Sequence, residues 1–239
     1  MTRRRWIADE VSGDRAFLIG THADHLARVL RARVGQEFDI STPETVRRGR
    51  IACITDGRVE FELGEEISGP IASPITLVLA IFKFDRMEWA IEKCTELGVA
   101  RIVPVIAQRT DSHLAAASAK RAERWQRIGR QAAEQSRRPA PPEISVPCKL
   151  ADTLNLSAIL RIVLAETEER TLLRDVVKPD AAGGVVALAV GPEGGWTEDE
   201  AQAFRLAGWV SASLGNTVLR AETAAIAATA IVASALASL

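Results

Sequence analysis

A glycine-rich turn follows an apolar run in the C-terminal part of this 239-residue chain. The run covers residues 185–190, and the turn is GPEGGW, residues 191–196. Immediately after it, Thr197 and Glu200 have the spacing of a capping box, which predicts the start of a helix. Because glycine has no Cβ atom, the backbone of such a turn can approach a ligand closely. The turn is therefore a candidate binding loop between a buried strand and a helix.

The same arrangement occurs again nearer the C-terminus. The sequence predicts a strand over residues 209–214, a glycine turn over residues 215–217 and an alanine-rich helix from about Arg220. Two strand ends that lead through glycine turns into helices predict a crevice for a small ligand at the edge of an α/β sheet. The first turn lacks the Lys-Ser/Thr of a P-loop and the G-x-G-x-x-G spacing of a dinucleotide fold. A purely structural role stays open for either turn alone, but the pair favours a site.

The elements that would position these turns change in character along the chain. Up to about residue 68, short β-prone runs between Gly, Asp and Pro turns predict a small barrel, and residues 69–74 form the predicted linker. From Ile75 onward, apolar strands alternate with helices, which predicts a parallel sheet. One of these helices is predicted to begin with Asp85 as its cap and to end at Gly98. A strongly basic amphipathic helix is predicted over residues 121–136.

Charge is unevenly distributed along the chain. The hydrophobic content of 47% and the charged content of 26% are typical of a globular protein, and the formal net charge is −1. Arginines nevertheless cluster at positions 3–5, 28–33, 47–50 and 124–138. Local patches rather than the total set the field that a polyanion meets. A solvated basic face and a nucleic-acid surface both fit this pattern.

Several classes of site and location are disfavoured by the sequence. The cysteines Cys53, Cys94 and Cys148 are far apart and have no Cys or His at metal-ligand spacing, which predicts reduced thiols and no metal site. No apolar signal segment follows the N-terminal arginines, so a cytoplasmic protein is expected. Residues 221–239 are rich in alanine and barely long enough to span a membrane, which favours a helix buried in the core or at a subunit interface. The few histidines argue against nucleophilic hydrolysis.

An ordered set of motifs carries a more specific signal. The set comprises KxDRMEW from residue 83, KxxELGV from residue 93, EQSxR from residue 134, GPEGG from residue 191, LG at residues 214–215 and LRxETA from residue 219. Together and in this order they resemble the RsmE family of 16S ribosomal RNA uridine-N3 methyltransferases, which belongs to the SPOUT class. The resemblance covers most of residues 83–230, and HLxxVLR at residues 25–31 also fits.

The resemblance implies a fold, a cofactor and partners. It implies a small PUA-like β-barrel for RNA over residues 1–70, followed over residues 74–239 by a SPOUT α/β methyltransferase domain with a C-terminal deep trefoil knot. It also implies S-adenosylmethionine in the knot loops, an obligate homodimer, and 16S ribosomal RNA as substrate, within the small ribosomal subunit. The implied cofactor contacts are Leu164, Ala165, Glu166, Gly191, Glu193, Gly194, Leu214, Gly215, Asn216 and Leu219.

The chemistry of uridine N3 suggests what the catalytic residues must do. This nitrogen carries a proton at neutral pH, and the proton must be lost before the nitrogen can attack a sulfonium methyl group. Arg220 is the predicted stabiliser of the uridinate anion, and Glu222 is the second candidate, as proton acceptor. A salt bridge of Arg220 with Glu222 or Glu193 is the structural alternative. For Glu222 the alternative is to satisfy N–H groups at the start of a helix.

The predicted RNA contacts are basic side chains in both regions. Phosphate contacts of this kind position a nucleic acid without reading its sequence. The chain departs from the family pattern at Thr217 and Val218, where an arginine is usual, at Ala221, where a threonine is usual, and at Arg137, where a glycine is usual. The candidate RNA-binding residues are Arg3, Arg4, Arg5, Arg28, Arg31, Lys83, Arg109 and Arg138.

Two other functions remain open from the sequence. One is the same catalytic fold acting on another RNA, such as transfer RNA. The other is a ribosome assembly factor that binds RNA without catalysis. The glycines of the two turns argue against the second function, because a protein that only binds RNA has no need of the space that they leave for a cofactor.

Overall fold

The computed structural model describes residues 5–43, 45–67, 73–177 and 184–237 of the chain. The chain divides into two units by its internal contacts. The first unit comprises Met1–Ala72 and Ala133–Pro141, and the second comprises Ser73–Ala132 and Pro142–Leu239. The segment Ala133–Pro141 therefore groups with the N-terminal unit, although it lies in the middle of the sequence.

The first unit is built on a six-stranded sheet with the strand order β1-β4-β5-β6-β3-β2. Strands β1 and β4 are parallel, and the other neighbouring pairs are antiparallel. A short helix, α1 (Thr21–Asp24), continues into a π-helical turn at His25–Val29. The strands are β1 (Arg5–Ile7), β2 (Glu10–Ser12), β3 (Arg15–Ile19), β4 (Glu37–Ser41), β5 (Val46–Thr55) and β6 (Arg58–Ile67).

Apolar residues of the first unit form a core cluster. Its buried members come from the sheet and from the short helical segment, and Phe38 packs edge-on against Phe61. The β-rich texture predicted for this region is confirmed. The largest side chains in the cluster are Trp6, Leu18, Leu26, Ile40, Ile51 and Phe61.

The second unit is built on a seven-stranded sheet in which every pairing is parallel. The strand order is β10-β8-β7-β12-β11-β13, and β9 pairs with β8. The predicted parallel α/β sheet is therefore confirmed. The strands are β7 (Ser73–Ala80), β8 (Val99–Ile106), β9 (Glu143–Ile144), β10 (Cys148–Lys149), β11 (Leu160–Leu164), β12 (Val186–Val190) and β13 (Val210–Ala212).

Helices cover this sheet and enclose two core clusters. Because both faces are covered, β12 is buried at every position, as expected for a parallel strand. Helix α2 begins at Phe84, so Asp85 lies in its first turn and is not the cap that the sequence predicted. The helices are α2 (Phe84–Glu96), α3 (Ser112–Ser118), α4 (Ala122–Gln135), α5 (Leu173–Val176), α6 (Glu198–Leu206) and α7 (Ala221–Ala237).

The alanine-rich helix α7 packs on α2, β7, β12 and α5. Its buried residues include Ala225, Ala228 and Val232, which confirms that the segment is a core helix. Thr229 donates its hydroxyl to the Cys94 sulfur of α2 at 3.5 Å, and burial raises the pKa of this thiol to about 12. Across the described residues, none of the helices has the length and apolar character to cross a bilayer.

Candidate active site

A pocket lies where three neighbouring strands end. Strands β11, β12 and β13 are parallel, and they end at Leu164, Val190 and Ala212. The segments that follow these strand ends surround a cavity of about 860 Å³. This volume is within the range of small-molecule sites. The crevice predicted from the two glycine turns is therefore present in the second unit.

All the residues predicted to contact a cofactor line this pocket. They come from three separate stretches of sequence, which the parallel strands bring to one edge of the sheet. Arg86, Arg109, Trp196 and Arg220 line it as well. The predicted residues are Leu164, Ala165, Glu166, Gly191, Glu193, Gly194, Leu214, Gly215, Asn216 and Leu219.

The glycine loop, residues 191–196, is held by several hydrogen bonds. Gly195 donates its N–H to the Pro192 carbonyl at 2.8 Å and has a φ of +68°, a conformation that glycine adopts without strain. Trp196 donates its indole N–H to the carbonyl of Leu164 at 3.1 Å. Arg109 donates Nη1 to the carbonyl of Gly194 at 2.6 Å. The loop is therefore tied both to the end of β11 and to the segment after β8.

The glycines of this loop make room for side chains of the protein itself. A Cβ atom at Gly194 would lie 3.3 Å from Cδ of Arg109, and one at Gly191 would lie 3.3 Å from the Trp196 ring. The sequence-based expectation that these glycines leave open space for a ligand therefore needs correction. Open space is found instead at Gly215, where a Cβ atom would have no neighbour within 4 Å and φ is +126°.

The predicted capping box at the start of α6 is confirmed. Glu200 donates its N–H to the Thr197 hydroxyl at 3.3 Å, and its Oε2 accepts the N–H of Thr197 at 2.9 Å. The other oxygen of the Glu200 carboxylate accepts the N–H of Gln108 at 2.8 Å. This buried carboxylate therefore joins α6 to the segment that carries Arg109.

The segment after β11 forms another part of the lining. The Glu168 carboxylate accepts the N–H groups of Arg170 and Thr171, each at 2.9 Å. These hydrogen bonds lower the pKa of Glu168, because they stabilise its ionised form. The Glu168 carboxylate thus closes the turn formed by residues 168–171. Glu166 and Glu169 are exposed beside it and give this part of the pocket a negative charge.

Arg220 stands at the start of α7, and its carbonyl accepts the N–H of Ala224 at 2.8 Å. Its side chain is exposed and makes no ion pair with any carboxylate of the described residues. The salt bridge considered as its structural role is therefore absent. Glu193 and Glu222, its two possible partners, pair with a different arginine.

That arginine is Arg86, in the first turn of α2. Its Nη1 lies 3.8 Å from Oε1 of Glu193, and its Nε lies 3.7 Å from Oε1 of Glu222. Glu222 is only 3% exposed and does not line the pocket. Sequence reasoning assigned no role to Arg86. The signal available was its place in the motif KxDRMEW, which does not say what the side chain contacts.

Two of the predicted RNA contacts are buried in the structure. Arg5 is 4% exposed and donates Nη1 to the carbonyl of Arg137, and Arg138 is 5% exposed. Burial lowers the pKa of Arg5, and it lowers that of Arg138 to about 10. A phosphate contact needs exposed surface, so the predicted role of these two residues needs correction. Arg137 has a φ of +60°, a backbone conformation that glycine adopts more readily than arginine.

The other predicted RNA contacts differ in how available their positive charges are to an RNA phosphate. Arg28 pairs with Asp24 at 3.3 Å and also with Asp56, so carboxylates already balance its charge. Arg31 and Lys83 are exposed, and Arg31 has a φ of +52°. Arg109 is exposed but bonded to the glycine loop. The remaining two candidates, Arg3 and Arg4, lie outside the described residues.

Comparison with known proteins identifies the family. A family model described as RNA methyltransferase domain matches residues 70–233. Ribosomal RNA small subunit methyltransferase E of Rickettsia conorii is 32% identical over 212 residues, which cover 87% of this chain and 84% of that protein. The protein of the same name from Synechocystis is 31% identical over 84% of this chain and 66% of its own length. The chain belongs to the ribosomal RNA small subunit methyltransferase E family.

Solved structures of similar proteins agree with this family assignment. A methyltransferase from Legionella pneumophila in complex with SAM has a TM-score of 0.87 and 30% identity, and the match covers 98% of each chain. The methyltransferase E of Neisseria gonorrhoeae bound to S-adenosyl methionine has a TM-score of 0.83 and 30% identity, and the match covers 96% of each chain. The resemblance carried by the ordered motifs is thereby confirmed.

Proposed function

We propose that this protein uses S-adenosylmethionine to methylate N3 of a uridine in 16S ribosomal RNA. The observation that carries the proposal is the pocket at the ends of β11, β12 and β13. Residues from three strand ends line it together, and similar solved structures with TM-scores of 0.83 and 0.87 contain this cofactor.

The lining suits the chemistry of S-adenosylmethionine. Leu164, Leu214 and Leu219 offer apolar contacts for a planar base, and backbone groups of the three segments offer hydrogen bonds. The carboxylates of Glu166 and Glu169 favour a ligand with cationic groups, whereas the charge of Glu193 is compensated by Arg86. The open space at Gly215 allows close approach of the ligand to the backbone. When bound, the cofactor supplies an electrophilic methyl group on sulfur.

Arg220 is the residue that we assign to the reacting base. It is exposed, lines the pocket and has no carboxylate partner among the described residues, so its charge is free to act on a substrate. A uridine that loses its N3 proton becomes an anion. A fixed cation beside that anion lowers the free energy of the transition state. Glu222, the second candidate, is buried and does not line the pocket.

The first unit is the part that we propose to bind RNA as a PUA-like domain. Its exposed Arg31, with Lys83 and Arg109 of the second unit, keeps the predicted role in phosphate contacts. Such contacts position the RNA and make its binding depend on salt. The small ribosomal subunit is the proposed setting, and the cytoplasm is the proposed location of this reaction.

We further propose that the second unit contains the SPOUT trefoil knot and forms a homodimer. Membership of the family supports both features. Helix α7 also carries apolar residues that are only partly buried, among them Ile226, Ile231 and Leu236. Light scattering on the purified protein should give twice the mass of the 239-residue chain. A stable monomer at micromolar concentration would contradict the dimer.

Two successive measurements test the proposed function. Calorimetry should show saturable binding of S-adenosylmethionine to the purified protein. Mass analysis of nucleosides should then find 3-methyluridine in 16S ribosomal RNA of normal cells, find it missing in cells that lack the protein, and find it restored by the wild-type gene. Loss of a modified uridine from transfer RNA alone would indicate the same fold with another substrate. Absence of cofactor binding would favour an assembly factor.

A further inference from the structure

Arg86 lies between two carboxylates that come from different parts of the chain. Its side chain is 29% exposed and lines the pocket. Glu193 belongs to the glycine loop, and Glu222 belongs to the first turn of α7. The guanidinium approaches the first at 3.8 Å and the second at 3.7 Å. A single cation on α2 therefore joins two of the segments that form the pocket.

The two carboxylates differ strongly in burial. The Glu222 side chain is 4% exposed, and its Oε2 is buried without a hydrogen-bond partner in the described residues. A buried carboxylate is costly unless a positive group compensates it. Arg86 is the cation that pairs with it, and the N-terminal end of α7 adds a favourable partial charge. Glu222 thus fixes Arg86 from the protein interior.

Glu193 is in the opposite situation, because its side chain is 40% exposed. An ion pair so accessible to water adds little to the stability of the fold. The pair can nevertheless select one position of the loop, because Arg86 is already fixed on its other side. The consequence of this contact should therefore appear in ligand binding rather than in unfolding.

We propose that Arg86 is a positioning residue of the cofactor pocket, which holds the glycine loop to the start of α7 through Glu193 and Glu222. Glu222 then acts through Arg86 and is not the proton acceptor. The inference rests on the proposed function, since it concerns the same pocket. This role of Glu222 explains why its buried carboxylate faces Arg86 and does not line the cavity.

The first test measures melting temperature and affinity for S-adenosylmethionine in single and double variants. Glu193→Gln should weaken cofactor binding about tenfold, as expected for residues in contact, with an unchanged melting temperature. Arg86→Gln should weaken binding at least as much and also lower the melting temperature. Because both changes remove the same contact, the double variant Arg86→Gln/Glu193→Gln should bind no more weakly than Arg86→Gln. If the affinity loss of the double variant equals the product of the losses in the two single variants, the proposal is overturned.

A second set of variants distinguishes the loss of these ion pairs from misfolding of the protein. Arg86→Lys keeps a cation between the carboxylates and should recover most of the affinity and melting temperature lost in Arg86→Gln. Arg86→Gln/Glu222→Gln removes the buried charge together with its partner, so it should melt at a higher temperature than Arg86→Gln alone. If it melts at a lower temperature, Glu222 is not compensated by Arg86 and the proposal fails.

The matched control is Lys93→Gln on the same helix. Lys93 also lies between two carboxylates, Glu92 at 2.7 Å and Glu96 at 2.8 Å, but it is about two helical turns away and does not line the pocket. Its replacement should leave cofactor affinity unchanged. An equal loss of affinity in this variant would mean that breaking any ion pair of α2 disturbs the pocket, and the specific role of Arg86 would be rejected.

The role of Glu222 is separated from proton transfer by single-turnover rates. With cofactor and RNA both saturating, a positioning role predicts that Glu222→Gln loses less than about tenfold in rate, whereas loss of a general base costs roughly 100- to 10,000-fold. The larger loss, or a change in the pH at which the rate rises, would overturn the proposal. Failure of the wild-type protein to bind the cofactor would instead reject the proposed function itself.

Discussion

Two loops line the same pocket, but the protein holds them in different ways. The glycine loop is bonded by Arg109 at the Gly194 carbonyl, by Trp196 to Leu164 and by its own turn at Gly195. The Trp196 ring also packs edge-on against Phe204, which packs in the same way against Trp209. The ring centroids are 5.0 Å apart in each pair. Its shape is therefore set before any ligand arrives.

The α7 loop, residues 213–220, is attached only at its two ends in the described residues. Its first residue, Ser213, donates its N–H to the Thr171 carbonyl, accepts the N–H of Leu173, and exchanges hydrogen bonds with Gly215 through its hydroxyl. Beyond that point, residues 216–219 make no hydrogen bond within the described residues, and Val218 is 78% exposed. The loop then ends at Arg220, the residue before α7.

The difference indicates a division of work between the two loops. A loop fixed by many contacts is suited to bind one ligand repeatedly in the same position, because little entropy is lost on binding. A loop whose middle has no hydrogen bonds can adapt to a large substrate. Arg220, at the end of this loop, is anchored at the start of α7 by the N–H of Ala224. We expect changes in the glycine loop to affect the cofactor, and changes in the α7 loop to affect the transfer step.

The largest expected effect comes from Arg220→Ala in the α7 loop. Loss of a preorganised charge beside a reacting atom typically costs roughly 100- to 1000-fold in rate. Cofactor affinity should change little, because the glycine loop stays in place. Single-turnover methyl transfer at saturating RNA and calorimetry with S-adenosylmethionine measure the two quantities separately.

Thr217→Ala is the control for this experiment, since it alters an exposed residue of the same loop without removing a charge. It should retain the saturated rate within a few fold. An Arg220→Ala enzyme with a normal saturated rate would show that the arginine is structural. A loss confined to cofactor affinity would show that the two loops do not divide the work as we infer.

The next effect in size is expected for Gly194→Val in the glycine loop. The new side chain must displace Arg109, whose hydrogen bond to the Gly194 carbonyl is charge-assisted. Such a bond is worth about 1.5–3 kcal/mol, so cofactor affinity should fall roughly tenfold or more if the loop shifts. Calorimetry on the folded variant gives this value.

Two further variants show whether Arg109 is the cause. Gly194→Ala adds a single carbon that the flexible arginine can avoid, so its affinity should fall less. Adding Arg109→Ala to Gly194→Val should cost nothing more, because the bond is already lost. Should the valine variant bind as tightly as the wild type, the attachments of the glycine loop have no part in cofactor binding.

Much of the second unit could be predicted from local sequence. Nearly continuous apolar runs marked β7 and β12, since strands buried on both faces of a parallel sheet are mostly apolar at every position. The spacing of Thr197 and Glu200 marked the start of α6 because the capping box is a local interaction. The strand predicted over residues 209–214 is shorter, Val210–Ala212, because the chain turns toward the pocket after three residues.

The contacts of the arginines could not be predicted in this way. Arg86 meets Glu193 and Glu222 only after three distant parts of the chain have folded together, and no sequence spacing encodes that meeting. Arg5 and Arg138 were expected at the surface because arginine is mostly exposed in proteins, yet both are buried. Contacts between distant parts of the chain determine where these arginines lie, and a single sequence does not reveal such contacts.

The smallest expected effect compares, in stability alone, the α7 loop with the α6 cap that directly follows the glycine loop. Thr197→Ala removes a capping hydroxyl that accepts the N–H of Glu200, which costs about 1 kcal/mol. For a chain of this size, that loss lowers the melting temperature by roughly 2–4 °C. Asn216→Ala, in the exposed part of the α7 loop, should stay within about 0.5 kcal/mol of the wild type. Thr197→Ser keeps the hydroxyl and should melt like the wild type. Equal losses at Thr197 and Asn216, measured by calorimetric melting, would mean that the α6 cap and the α7 loop are held equally firmly, and the contrast drawn from their hydrogen bonds would not hold.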